Sequence, residues 1–214
     1  MSAPILSILL PTISTRASQF ARLEAHVRAQ SDGKPVEILS ECDNKEISIG
    51  RKRQNLLEKA SGEWVVFIDD DDWIADDYVD SILAALSENP DCVGFLIRCT
   101  TNGKNPVMAK ASLKYKSWGE NEDGFVHTRA PYQKTPVRRS IALLVGFPDL
   151  RYAEDREYSR GLVKHLKTEV FIDKILYEYR YVHEKFSTKY GFTRAGAARV
   201  MNRGRRDYRG RPVA

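Results

Sequence analysis

Four consecutive carboxylates, Asp69, Asp70, Asp71 and Asp72, are the residues whose types and spacing are best suited to chemistry. They directly follow a continuous apolar run, residues 64–68, which predicts a strand buried on both faces. Because side chains alternate along a strand, the first and third Asp are expected to point one way and the second and fourth the other. Adjacent carboxylates repel one another unless a cation neutralises them, and hard oxygen ligands suit Mg²⁺ or Mn²⁺ holding a phosphate-bearing substrate. The alternative is a solvated acidic turn in which Asp70 or Asp72 caps the next helix, but a position after a buried strand favours the metal site.

The elements that must position this cluster alternate between strand and helix. Predicted strands cover residues 5–10 (ended by Pro11), 36–40, 64–68 and 92–98, and predicted helices cover 16–30, 50–60 and 76–86. This order predicts an α/β fold with an open, mostly parallel sheet flanked by helices. Ligands collect at the carboxyl ends of the strands in such a sheet. Those ends are Pro11 with Thr12, Cys42 with Asp43, and the Asp cluster.

The composition limits the class of protein. With 42% hydrophobic and 29% charged residues, the chain has the balance of an ordinary globular protein. No apolar run approaches the length of a membrane span, and the first residues lack the pattern of a signal peptide, so we expect no integral membrane segment and a cytoplasmic location. The three cysteines form no CxxC pair, which favours reduced thiols and argues against a zinc site.

The basic character of the chain comes from its last residues, 191–214. This tail carries +6 and the whole chain +5, so residues 1–190 sum to −1. The tail can be a solvated extension, or it can attract a polyanion such as nucleic acid or an anionic membrane surface. Its basic residues are Arg194, Arg199, Arg203, Arg205, Arg206, Arg209 and Arg211.

Several short segments, taken together, resemble the enzymes of glycosyltransferase family 2, which have the GT-A fold. They are Ile-Leu-Leu-Pro-Thr at 8–12, Gly-Arg-Lys-Arg-Gln-Asn at 50–55, Ala-Ser-Gly-Glu-Trp at 60–64, the Asp cluster, and Gly-Phe-Pro-Asp-Leu-Arg-Tyr-Ala-Glu-Asp at 146–155. The resemblance implies a metal-dependent, inverting transfer of a sugar from a nucleotide sugar, expected to be a UDP-sugar, to an acceptor hydroxyl. It also implies a single GT-A domain over residues 1–190, with a nucleotide-sugar half (1–100) and an acceptor half (101–190), followed by the tail.

The resemblance assigns part of the nucleotide site. Pro11 and Thr12 match the end of the first strand, where the base binds, and Arg53 matches a helix arginine near the nucleotide. Asp43 matches a carboxylate that bonds the base and would select uracil by accepting its imide N–H, although Cys42 stands where the family more often has another acid. The neighbouring Arg51 and Lys52 are expected to form a solvated basic face.

The resemblance also assigns the metal ligands. The Asp-x-Asp motif maps to Asp69 and Asp71. Asp71 is expected to bind Mn²⁺ or Mg²⁺ directly, and Asp69 or Asp70 is expected to lie nearer the ribose. Whether Asp69, Asp70 or both also reach the metal is left open. His183 matches a histidine that serves as a further metal ligand in many GT-A enzymes.

On the acceptor side, Asp155 matches the family's catalytic base and Glu154 its supporting acid. On local grounds alone, Asp155 is equally well explained as an acid favoured at a helix N-terminus. The acceptor can be hydroxymethylated or glycosylated DNA, which the basic tail would suit. The expected cytoplasm is that of a bacterium or of a virus-infected host cell. The acceptor can also be a cell-surface glycan or polysaccharide precursor. A non-catalytic nucleic-acid-binding module on the same scaffold is the alternative from another class.

Overall fold

The computed structural model of the protein describes residues 3–181, and His183 and the tail lie outside this part. The strands are β1 (Leu6–Ile13), β2 (Val36–Asp43), β3 (Trp64–Phe67), β4 (Trp73–Ile74), β5 (Cys92–Thr101), β6 (Lys104–Ala111), β7 (Gly119–Glu122), β8 (Phe125–Arg129), β9 (Val137–Arg138) and β10 (Glu169–Tyr181). The helices are α1 (Ala17–Ser31), α2 (Ile49–Lys59), α3 (Tyr78–Leu86), α4 (Arg139–Val145) and α5 (Glu154–Leu162), and a 3₁₀ turn (Ser14–Arg16) precedes α1. None of these helices is long and apolar enough to cross a membrane.

The strands form one sheet in the order β2-β1-β3-β9-β5-β6-β8-β7, with β10 beside β5 and β4 beside β10. β1 pairs in parallel with both β2 and β3, and β10 pairs in parallel with β5, whereas β9 runs antiparallel to β3 and β5. The predicted α/β fold, a sheet flanked by helices, is confirmed. The parallel arrangement of β1, β2 and β3 brings their carboxyl ends to one rim, with Thr12 beside Cys42 and Ile13 beside Asp43.

Pro11 lies inside β1 rather than at its end, so the first strand is longer than predicted. The carbonyl of Leu9 accepts a hydrogen bond from Ile68 N–H at 3.1 Å, so Leu9 and, two residues later, Pro11 face the β3 side. The pairing of β1 with β3 stops at Leu9. The missing N–H of Pro11 therefore costs no ladder hydrogen bond, and β1 can carry Thr12 to the rim.

Helices cover both faces of the sheet, and β3 separates two apolar clusters. Trp64 and Val66 belong to the cluster that includes residues of α1 and α3, whereas Val65 and Phe67 belong to the cluster that includes residues of α2, α4 and α5. All four residues are at most 3% exposed, as predicted for a strand buried on both faces. The sheet therefore fixes the direction in which β3 delivers the Asp cluster to the rim.

Candidate active site

The four Asp residues lie in a turn that follows β3. Strand β3 ends at Phe67, and the backbone N–H of Asp72 donates to the carbonyl of Asp69 at 3.1 Å. The expected alternation holds for exposure, because the side chains of Asp69 and Asp71 are each 22% exposed while those of Asp70 and Asp72 are 4% and 1% exposed. The cationic partners of these side chains do not alternate in the same way. The turn brings Asp69 and Asp72 to one lysine, and it brings Asp70 and Asp71 to one arginine.

Lys134 is the lysine between Asp69 and Asp72. Its ammonium donates to Oδ2 of Asp69 at 2.7 Å, to Oδ2 of Asp72, and to the hydroxyl of Tyr177 at 3.0 Å. Burial alone would lower the pKa of Lys134, but the charges of the two carboxylates outweigh burial and hold the pKa well above its ordinary value. Lys134 is therefore a fixed cation with all three donors used.

Arg53 of α2 holds Asp69 from the other side. Its Nη2 donates to Oδ1 of Asp69 at 2.7 Å, and its Nε donates to Oε1 of Glu154 at 3.3 Å. Burial alone would raise the pKa of Asp69, but the positive charges of Arg53 and Lys134 hold this pKa far below its ordinary range. The buried Nη1 of Arg53 has no hydrogen-bond partner within residues 3–181. One nitrogen of this guanidinium is therefore still able to donate hydrogen bonds.

Asp72 ties the turn to β10. The Tyr177 hydroxyl donates to its Oδ2 at 2.9 Å, and the backbone N–H of Arg180 donates to its Oδ1 at 2.9 Å. Burial raises the pKa of Asp72 to about 6, with the charge of Lys134 opposing that effect. Since both oxygens are engaged and almost no solvent reaches them, this carboxylate positions the turn.

Arg16, the last residue of the 3₁₀ turn after β1, holds the middle two carboxylates. Its Nη1 donates to Oδ1 of Asp70, and its Nη2 lies 3.1 Å from Oδ2 of Asp71. The hydroxyl of Thr12 donates to Oδ2 of Asp70 at 2.8 Å. Burial raises the pKa of Asp70, with the Arg16 charge opposing it. Thr12, predicted to lie near the base, therefore contacts the Asp cluster.

Asp43 and Lys52 form a third ion pair at the rim. The ammonium of Lys52 donates to Oδ1 of Asp43 and to the carbonyl of Thr12, and the N–H of Ile47 donates to Oδ2 of Asp43 at 3.1 Å. Lys52 is 3% exposed, so the prediction of a solvated Lys52 is wrong, whereas Arg51 is exposed as predicted. Although desolvation alone would raise the pKa of Asp43, the bonds from Lys52 and Ile47 hold it below its ordinary value.

Glu154 and Asp155 begin α5 and point into different surroundings, because successive helix residues lie about 100° apart. Glu154 is buried against Arg53, and burial raises its pKa while the Arg53 charge opposes that effect. Asp155 is only partly buried, and its Oδ1 accepts from the backbone N–H of Arg156 at 2.8 Å. No ion pair to Asp155 is present within the described residues, so its carboxylate is the free one of the two.

The loop before α5 is hydrogen-bonded to the start of α2. The N–H of Gly50 donates to the carbonyl of Leu150 at 3.1 Å, and Ser48 donates its hydroxyl hydrogen to Asp149. A Cβ at Gly50 would lie 2.0 Å from the carbonyl oxygen of Pro148, so only glycine permits this approach. The contact fixes the start of α5 relative to the rim that carries Asp43.

Known proteins resemble this chain in sequence and in fold. A model described as glycosyl transferase family 2 matches residues 23–143, more than half of the 214-residue chain. The chain belongs to glycosyl transferase family 2. No curated protein sequence matches it.

Solved structures of TarS from S. aureus resemble this family 2 chain in fold. TarS 1–349 has a TM-score of 0.56 at 17% identity, with 82% of this chain and 60% of that chain covered. The complex of TarS 1–349 with UDP-GlcNAc has a TM-score of 0.56 at 17% identity, and the match covers 82% of this chain and 58% of that chain. The complex with UDP has a TM-score of 0.55 at 17% identity, and the match covers 86% of this chain and 62% of that chain. The chain thus spans about 60% of the length of these structures, and identity this low shows the fold alone.

The residues of this family 2 chain fit the divalent cation that the family implies. Residues 3–181 contain no group of three or more His, Cys, Asp or Glu that could hold a metal by itself. Mg²⁺, however, is usually bound by one or two carboxylates together with substrate phosphates. The most exposed carboxylates of the turn are those of Asp69 and Asp71, the two ends of the Asp-x-Asp motif. Asp71 contacts Arg16 and no other cation in the described part, whereas Asp69 shares its two oxygens with Arg53 and Lys134 and keeps one lone pair on each for a ligand bond.

Three cations of the family 2 site, Arg16, Lys52 and Lys134, were missed by sequence reasoning. Lys52 could have been found, because it lies four residues before the core residue Leu56 and so shares its helix face. Arg16 had a weaker signal, its place just after a strand end. Lys134 had none, because residues 132–136 have neither helix nor strand periodicity.

Proposed function

We propose that the chain is a metal-dependent, inverting glycosyltransferase that moves a sugar from a UDP-sugar to an acceptor hydroxyl. The observation that carries this proposal is the double contact of Arg53, at 2.7 Å to Asp69 and 3.3 Å to Glu154. This guanidinium joins the acids after β3 to the acids of α5, residues far apart in sequence. Membership of the family supports the proposal, and the TarS complexes with UDP-GlcNAc and UDP support the choice of donor.

On the donor side, Pro11, Thr12 and Asp43 would form the base end of the site. The carboxylate of Asp43 has about four acceptor sites, and its bonds from Lys52, Ile47 and the backbone of Lys45 leave one for the uracil imide N–H.

Arg53, Asp69 and Asp70 would border the ribose and the diphosphate. Asp71, with Asp69 as the second candidate, would hold Mn²⁺ or Mg²⁺, and this cation, when bound, offsets negative charge on the departing diphosphate. His183 as a further ligand remains part of the proposal.

On the acceptor side, Asp155 would act as the general base. Its carboxylate takes the proton of the acceptor hydroxyl as that oxygen bonds to the anomeric carbon, while the bond from this carbon to the diphosphate oxygen breaks and UDP leaves. Attack opposite to the leaving group inverts the configuration. Glu154 is unsuited to this role, because it is buried and paired with Arg53. It would instead orient the start of α5.

The acceptor would be either hydroxymethylated or glycosylated DNA, which the arginines of the tail favour, or a cell-surface glycan precursor. We place the transferase domain at residues 1–190 and the tail at 191–214. Within the domain, residues 1–100 would supply most of the donor side and residues 101–190 the acceptor side. Lys134 is an exception, because it comes from the second half and contacts Asp69.

The experiment that tests the function is a screen of UDP-sugars with Mn²⁺ against two acceptor pools, modified DNA and soluble glycans, read by mass spectrometry. We expect a sugar-sized mass gain on one pool and its loss when EDTA is added. A gain on DNA nucleosides would identify the tail as part of acceptor binding, and a gain on glycans alone would exclude it from that role. If no UDP-sugar is consumed and UDP with Mn²⁺ does not bind, the proposed function is wrong.

A further inference from the structure

The three cationic side chains around the Asp turn differ in how far solvent reaches them. Arg53 and Lys134 are 4% and 5% exposed, whereas Arg16 is 15% exposed. The two less exposed cations occupy both oxygens of Asp69, and Lys134 also holds Asp72. They form the floor of the site, and Arg16 lies nearer its mouth.

Arg16 also has fewer kinds of partner than the other two, because Lys134 donates to the hydroxyl of Tyr177 and the guanidinium carbon of Arg53 lies 5.4 Å from the ring centroid of Phe67. It has a carboxylate contact to Asp71 at 3.1 Å and a hydrogen bond to Asp70, but no ring or carbonyl partner within residues 3–181. If it moved away, Asp70 would keep the hydroxyl of Thr12 at 2.8 Å. Asp71, in contrast, would be left with no cationic partner in the described part of the chain. Arg16 can therefore exchange its carboxylate partners for another anion at a lower cost in free energy than Arg53 or Lys134.

We propose that Arg16 is the exchangeable cation of this site. In the empty protein it neutralises Asp70 and Asp71. It releases Asp71 when the divalent cation and the donor bind, and its guanidinium then pairs with the diphosphate of the donor. This inference rests on the proposed function and names the residue that couples metal binding to donor binding.

The charges of the site support this role. The four Asp residues and Glu154 carry five formal negative charges against the three positive charges of Arg16, Arg53 and Lys134, which leaves two net negative charges. A divalent cation at Asp71 would meet the positive guanidinium beside the same carboxylate, and at such short range the repulsion is large. After the guanidinium of Arg16 leaves Asp71, the diphosphate provides a new anionic partner, because the planar fork of arginine binds phosphate oxygens bidentately. Metal alone should bind weakly, and metal with nucleotide strongly.

The first arm of the test measures Mn²⁺ alone, by electron paramagnetic resonance of the free ion. The proteins are the wild type, Arg16→Gln, Arg16→Lys and the control Arg22→Gln, which changes an exposed arginine of α1. We expect Arg16→Gln to bind Mn²⁺ about tenfold more tightly than the wild type, because a competing charge is gone. Arg16→Lys should give a smaller increase, because an ammonium lacks the fork that holds both carboxylates. Arg22→Gln should behave as the wild type.

The second arm measures the affinity for UDP in the presence of saturating Mn²⁺, by calorimetry. Here Arg16→Gln should bind about tenfold more weakly, because the diphosphate loses a charge-assisted contact. Opposite shifts in the two arms are the signature of an exchangeable cation, since a merely structural residue would weaken both. Should Arg16→Gln fail to fold, Arg16→Lys carries the same test with the smaller expected shift.

Two results would overturn the role of Arg16. One is an unchanged or weaker Mn²⁺ affinity in the Arg16 variants, and the other is the absence of Mn²⁺ binding alone in every protein. The wild type with UDP and Mn²⁺ together separates this failure from failure of the function. If that complex forms, the proposed function stands without the Arg16 exchange. If it does not form, both proposals fall.

Discussion

At the end of β3, four carboxylates lie among three cationic side chains, whereas at the start of α5 the carboxylate of Asp155 has no cationic partner within the described residues. The first group is fixed by contacts from four other parts of the chain, namely the end of β1 with the 3₁₀ turn, α2, the loop that carries Lys134, and β10. The second accepts one hydrogen bond, from the backbone of Arg156. An acid held in ion pairs is suited to positioning charge, and an acid without such a pair is suited to taking a proton.

Replacing the free acid should give the largest effect on catalysis. We expect Asp155→Asn to lower kcat for sugar transfer by about 10²–10⁴-fold, because the amide cannot accept the acceptor proton. Its affinity for UDP with Mn²⁺ should stay within about twofold of the wild type, because the donor contacts lie on the Asp turn. Steady-state kinetics and calorimetry on the same preparation measure the two quantities.

The matched control is Glu157→Gln, which changes another acid of the first turn of α5. Glu157 is exposed and pairs with Arg160 on the same helix, so kcat should stay at the wild-type value. Transfer by Asp155→Asn at the wild-type rate would remove Asp155 from the role of base and break the contrast between the two acidic groups.

Removing a fixed cation should mainly reduce stability. We expect Lys134→Met to lower the free energy of unfolding by about 3–5 kcal/mol, since it leaves Asp69 and Asp72 without their shared partner. Urea unfolding at pH 7 measures this value. The double variant Lys134→Met/Asp72→Asn should recover part of the loss, because the uncompensated buried charge is then gone.

Lys174→Met is the control for a surface ion pair. Lys174 is 52% exposed and pairs with the half-buried Asp77, so its loss should cost less than about 1 kcal/mol. A cost for Lys134→Met as small as that of Lys174→Met would mean that the acids after β3 do not depend on their cations. The proposed difference between paired and free acids would then lose its physical basis.

The sequence predicted the parts of this site that depend on local pattern. The apolar run of β3 and the strand–helix order place the Asp cluster at the rim, and two-residue periodicity anticipated that Asp69 and Asp71 would differ from Asp70 and Asp72, though not which pair would be exposed. The partners of these acids could not be predicted in this way. Lys134 and Tyr177 reach the Asp turn from 62 or more residues away in the chain, and no local pattern marks a buried lysine in a loop.

In the structure, a metal is not the only source of positive charge for the four adjacent Asp residues. Arg16, Arg53 and Lys134 already contact them, although Arg53 is shared with Glu154. What favours a metal in the structure is the exposure of Asp69 and Asp71, a feature of geometry and not of charge count.

The third pair of the rim, Lys52 with Asp43, gives the smallest expected effect and a test by pH. We expect Lys52→Met to lower the free energy of unfolding by about 1.5–3 kcal/mol at pH 7, the range for a hydrogen bond to a charged group. The Lys52 bond helps hold the pKa of folded Asp43 below its ordinary value of 3.8. A lowered folded pKa stabilises the protein above pH 3.8, and this stability is lost as the pH falls through the folded pKa.

Urea midpoints of the wild type and Lys52→Met between pH 7 and the acid limit of folding measure this dependence. The difference between the two proteins should be constant at neutral pH and shrink as the pH falls below 3.8, because protonated Asp43 no longer needs Lys52. A difference that persists in acid would assign the contribution of Lys52 to its other acceptor, the carbonyl of Thr12. Asp43 would then be a second free acid on the rim, and the contrast with Asp155 would apply to the Asp turn alone.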